Sequence, residues 1–66
     1  MNENAKIIFN ILNVDPNEEF KIKDSNQTFL ITEELLMYDN HGHTYFNLLR
    51  KLILYPELIE RNNKFY

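Results

Sequence analysis

The sequence predicts a small α+β domain, a three- to four-stranded antiparallel sheet covered by two helices in the order α-β-β-β-α-β. Three observations predict it. Apolar residues recur at helical spacing in two segments, one near each end of the chain. Between them lie short runs that alternate like half-buried strands. The connections between those runs are short enough for hairpins, so the strands form an antiparallel meander.

Residues 4 to 13 read as the first helix. Ile7, Ile8, Ile11 and Leu12 recur on one side, with Ala5 beside them. Asn4 or Asn2 suits the N-cap. Asn13 suits a left-handed residue after the last turn, and Val14 can pack back onto that turn. Asp15-Pro16 forbids continuation, because proline disfavours helical geometry in the residue before it. Residues 19 to 23 alternate, with Phe20 and Ile22 on one face and Glu19, Lys21 and Lys23 on the other. Asp24-Ser25-Asn26-Gln27 is a polar turn whose side chains can bond their own backbone. Thr28 to Thr32 resumes the alternation, Phe29 and Ile31 against Leu30. Glu33-Glu34 breaks it, and Leu35 to Tyr38 reads as a third strand. Asp39-Asn40-His41-Gly42 is the strongest turn signal, since Asn and Gly tolerate positive φ. A second helix spans about Thr44 to Leu54, with Thr44 as N-cap, Tyr45 and Phe46 opening it, and Leu48, Leu49, Leu52 and Ile53 as its apolar stripe. Tyr55-Pro56 ends it. Residues 57 to 61 read as a short last strand, with Leu58 and Ile59 on opposite faces.

Composition sets the bounds. Residues 1–66 make one domain near the lower size limit for folding without staples. There is no cysteine, so disulfides and thiolate metal sites are excluded. A hydrophobic fraction of 44% indicates a globular chain rather than a disordered one. No apolar run reaches the roughly 18 residues of a membrane span, and the N-terminus lacks a signal-peptide pattern. A soluble, cytoplasmic protein is the expectation. The formal charge is −3, which disfavours direct binding to a phosphate backbone and favours a basic protein partner. Solubility alone also accounts for an acidic surface.

Sites of chemistry are scarce. His41-Gly42-His43 is the one histidine cluster. A metal site normally needs three or four ligands, Asp39 is the nearest addition, and turn chemistry accounts for all three residues, so no metal is expected. Glu18-Glu19 and Glu33-Glu34 are paired carboxylates, but strand neighbours point to opposite faces and would not converge. Ser25 sits in a turn, no nucleophile–base set is visible, and Gly42 is alone, so no phosphate-cradling loop exists. The reading is a non-enzyme without cofactor.

The aromatic residues carry more. Phe20, Phe29 and Phe46 are expected in the core. Tyr38, Tyr45, Tyr55, Phe65 and Tyr66 cannot all be buried in so short a chain, and exposed tyrosines favour protein interfaces. The residues expected at a partner surface are therefore Glu18, Glu19, Glu33, Glu34, Tyr38, Asp39, Tyr45, Tyr55 and Tyr66.

Several segments together resemble small phage- and prophage-encoded proteins of low-GC Gram-positive bacteria. They are Asn13 to Ile22, Phe29-Leu30-Ile31-Thr32, Leu36-Met37-Tyr38-Asp39, Leu48 to Leu54 and Leu58-Ile59-Glu60. The chain departs from that pattern at Asn13 and Asn17, where glycine is common, and in lacking a tryptophan after the third strand. The resemblance implies a shared fold and a mobile-element origin, and it carries over no functional residue. With the small size, acidic surface and surplus tyrosines, it implies a phage accessory protein that binds and inhibits a host defence protein. An anti-CRISPR protein acting on a CRISPR effector is the most specific version. Two alternatives stand beside it. One is a small regulator or nucleic-acid-associated module using Lys21 and Lys23, or Arg50 and Lys51. The other is an oligomeric accessory component, for which a homodimer would suit the small core.

Overall fold

The computed structural model describes residues 2–60. Helix α1, Glu3–Leu12, begins at Asn2, whose side-chain oxygen accepts the Ala5 N–H at 2.7 Å. It ends at Asn13, which is left-handed at φ 58° and returns its N–H to the Phe9 carbonyl. Buried Val14 follows it, as the capping pattern predicts. Strands β1 (Phe20–Ile22), β2 (Thr28–Ile31) and β3 (Met37–Asp39) form the expected meander. Helix α2, Phe46–Leu54, then runs into a 3-10 turn, Pro56–Leu58, and β4, Ile59–Glu60.

The sheet order is β3-β2-β1-β4, all antiparallel. The α2 connection therefore carries the chain from the β3 edge to the β4 edge. Along the strands Phe20, Ile22, Phe29, Ile31, Met37, Asp39 and Ile59 are buried, and they alternate with exposed or half-buried Lys21, Thr28, Leu30, Tyr38 and Glu60. Ala5, Phe9 and Leu12 of α1 and Leu49 and Leu52 of α2 join that same core. Both helices thus cover one face, and the other face of the sheet meets solvent. No helix among the described residues is long and apolar enough to cross a membrane.

Four expectations need correction. First, α1 is rotated: Ala5, Phe9 and Leu12 are buried, whereas Ile7 and Ile11 are 54% and 43% exposed. Two apolar stripes overlap on this helix, and the one containing the larger aromatic side chain turns inward. Second, β3 starts at Met37, not Leu35. Leu35 closes the β2–β3 hairpin at φ 64°, donating its N–H to Thr32 O, while Leu36 N–H reaches Thr32 Oγ1. Third, α2 starts at Phe46 with Tyr45, not Thr44, at the cap position. Thr44 is instead bridged to Tyr38 on the outer edge of β3. Fourth, Phe46 is 65% exposed rather than core. The preceding Tyr45 takes the inward place, its ring edge-on to Phe29 at 5.4 Å. The last strand is confined to Ile59–Glu60 within the described residues, and Arg61 lies outside them.

Candidate functional site: an acidic end and a carboxylate-centred turn

Strand register decides where the acidic residues sit. Phe20 faces Phe29 and Lys21 faces Thr28, so the chain just before β1 lies toward the end where β2 finishes. Asn17 N–H bonds Ile31 O at 2.7 Å, confirming that the chain before β1 lies at the end where β2 finishes. The β2–β3 hairpin carrying Glu33 and Glu34 leaves from that same end. Neither pair lies on a strand: one precedes β1 and the other occupies the hairpin loop. The register thus brings Glu18, Glu19, Glu33 and Glu34 to one end of the sheet, all exposed. Among the described residues none of them forms an ion pair. Glu18 Oε1 accepts the Asp15 N–H at 2.9 Å, which braces the turn before β1. Asp15 adds a further exposed carboxylate beside it. A shallow depression of about 550 Å³ borders this end, lined by apolar Val14, Phe20 and Ile59, by Glu18, Glu19 and Glu60, and by Lys21.

Asp39 is not part of that surface. Expected at the partner surface, it has a side chain that is only 1% exposed. It is the last residue of β3 and points inward beside Phe29. Its Oδ1 accepts the N–H groups of His41 at 2.8 Å and His43 at 2.9 Å. Its Oδ2 accepts the Tyr45 hydroxyl at 2.6 Å and the His43 Nδ1–H at 3.1 Å. Burial alone would disfavour the charged form. The Tyr45 hydroxyl, the two backbone N–H groups and the His43 ring outweigh it and hold the carboxyl well below the usual carboxylate range. The same contact raises the Tyr45 hydroxyl above the ordinary value of 10.0, with burial adding to it.

Tyr45 is therefore corrected as well: it is half-buried, and its hydroxyl is committed to Asp39. Tyr38 is half-buried on the open sheet face, paired across the strands with Leu30. Tyr55 is 52% exposed just past α2, in the same helical layer as exposed Phe46 and Leu54. Tyr66 lies outside the described residues. The register gathers the four glutamates at one end of the sheet, whereas Tyr45 and Tyr55 flank α2 and Tyr38 stands on the open face of β3. The exposed Ile7, Ile11, Phe46 and Leu54 were missed as surface residues, since periodicity marks an apolar stripe without saying which of two stripes faces inward.

No three His, Cys, Asp or Glu side chains among the described residues are grouped to hold a metal ion. Lys21, a candidate phosphate contact, stands directly opposite Glu60 on the open face, where the two charges offset each other. The chain matches no protein-family model, no curated protein and no solved structure.

Proposed function

We propose that this chain is a stoichiometric protein-binding inhibitor encoded by a phage and acting in the cytoplasm of the infected bacterium, with a host defence protein as its target. Its most specific form is an anti-CRISPR protein that binds a CRISPR effector without chemistry of its own. The phage and defence part of this reading comes from the sequence resemblance. The observation that carries the binding part is the gathering of Glu18, Glu19, Glu33 and Glu34 at one end of the sheet, all exposed and none of them in an ion pair. Such an end attracts a basic surface, which steers encounter and fixes orientation more than it adds affinity. Effectors that handle nucleic acid present basic grooves of this kind.

The test is capture of the tagged chain from host lysate with and without nuclease, repeated with Glu18→Lys/Glu19→Lys and Glu33→Lys/Glu34→Lys. One nuclease-resistant partner at equal stoichiometry is expected, lost with the charge reversals and retained with Lys23→Glu at the opposite end. Association should slow steeply as ionic strength rises. A partner that survives both reversals would remove the acidic end from the mechanism. Recovery that disappears with nuclease would transfer the function to nucleic acid.

A further inference from the structure

At the opposite end of the sheet, the β3–α2 connection places two imidazoles around one glycine. Gly42, at φ 86°, reverses the chain between His41 and His43. Both neighbouring N–H groups are tied to the same oxygen of Asp39, so the backbone carrying the two rings is braced by a single buried carboxylate. The His43 Nδ1–H also donates to that carboxylate. This bond selects the tautomer with the proton on Nδ1 and leaves Nε2 with its lone pair toward solvent. A carboxylate behind a histidine in this way is the arrangement that orients and strengthens metal-binding imidazoles. The His43 side chain is 73% exposed, and His41 is exposed beside it.

The two rings are near enough to be brought onto one ion. A ring centre lies about 3.2 Å from an ion bound by its nitrogen at about 2.0–2.1 Å, so two rings on a tetrahedral ion have centres about 5.2 Å apart. The two ring centres are 6.3 Å apart, tilted by 54°, so the exposed rings close by about 1 Å when they share such an ion.

We propose that the His41–Gly42–His43 turn is a two-histidine site for a first-row divalent cation that prefers imidazole, Cu2+, Ni2+ or Zn2+. Asp39 acts from behind His43 as a positioning residue and is not a ligand. Two nitrogens leave further coordination positions open to water or to a ligand from outside the chain, unlike a closed structural zinc site. Cu2+ binds tightest of the three. The proposal is independent of the protein-binding reading, since it concerns the other end of the sheet.

The experiment titrates the full chain with zinc chloride, then nickel chloride, in a non-coordinating buffer, following the ring nitrogens of both histidines by NMR. Saturable binding at micromolar ion is expected, with the His43 Nε2 and one His41 nitrogen shifting together. His41→Ala should abolish saturation while leaving the melting temperature unchanged, because the exposed His41 ring makes no hydrogen bond in the turn. Asp39→Asn should weaken binding about 10- to 100-fold. Because Asp39 also holds the turn, His41→Ala is the decisive variant. Unchanged binding in His41→Ala, ring nitrogens that do not shift, or saturation only at millimolar ion would each overturn the site.

Discussion

Asp39 is the one buried charged residue among the described residues. A buried carboxylate is costly unless its oxygens are satisfied. Here two backbone N–H groups, a phenol and an imidazole all donate to it. No buried side-chain polar atom among the described residues lacks a partner. The consequence for pH follows from the direction of the shift. The folded-state value lies below the unfolded value of about 3.9, so ionised Asp39 contributes its full stabilisation above that value. The contribution is lost as pH falls below it toward the folded-state value. Asp39→Asn should lower Tm at neutral pH and flatten the acid limb of the stability curve, and Tyr45→Phe should do the same to a smaller degree. Thermal melts between pH 7 and pH 2 check this, and an Asp39→Asn variant with the wild-type acid limb would refute it. The turn at residues 39–42 was legible from composition, but the burial of Asp39 was not. The letters Asp-Asn-His-Gly specify a reversal, whereas burial depends on which way the last residue of β3 faces, and that is set by the Leu30–Tyr38 register. Asn13, expected to be left-handed, was the better guide, and Asn17, for which no such expectation was drawn, shares that conformation. Both are left-handed, at φ 58° and 63°, a conformation that asparagine or glycine adopts at little cost.

Helix α1 illustrates what periodicity can and cannot decide. Its ends were readable because capping is local chemistry: Asn2 accepts from Ala5, and Asn13 closes the last turn. Its rotation was not, because Ile8 and Leu12 belong equally to a stripe with Ile7 and Ile11 and to one with Ala5 and Phe9. On an axis turning about 100° per residue, Ile7 and Ile11 lie nearly opposite the centre of Ala5, Phe9 and Leu12. The placement has a measurable consequence. Phe9→Ala removes a buried ring, 5% exposed, and should cost about 3–5 kcal/mol. Ile7→Ala and Ile11→Ala should each stay within about 0.5 kcal/mol, as for ordinary surface positions. Urea unfolding of the three variants decides between the two stripes; a larger loss for Ile11→Ala than for Phe9→Ala would reverse the assignment. Helix α2 repeats the lesson at its start. Thr44 has the chemistry of an N-cap, yet the edge of β3 claims it for a bridge with Tyr38, and long-range pairing overrides the local preference.

The meander was readable because its connections are short, and short connections leave antiparallel neighbours as the simplest solution. The position of β4 was not, since a two-residue strand after a helix carries no periodic signal of its own. Its address is written by one side chain. Ile59 is 1% exposed and pairs with Ile22, so the final segment closes the sheet at β1 through the shared core rather than through a long ladder. The Lys23 N–H to Leu58 O bond, 2.9 Å, extends the pairing by one residue. Among the described residues the helices and strands meet in one hydrophobic cluster. A chain this short has a total stability of only about 3–10 kcal/mol on the usual per-residue scale. A loss at β4 therefore cannot remain local. Ile59→Ala should cost about 2–5 kcal/mol and lower the midpoint of the entire domain. Far-UV circular dichroism, reporting the helices, and tyrosine fluorescence, summed over the four tyrosines, should shift together in one transition. Glu60→Ala, on the open face of the same strand, should leave both curves in place. If Ile59→Ala instead produced an early sheet transition with the helices intact, β4 would be a separable edge, and the sheet would owe its integrity to the three-stranded meander alone.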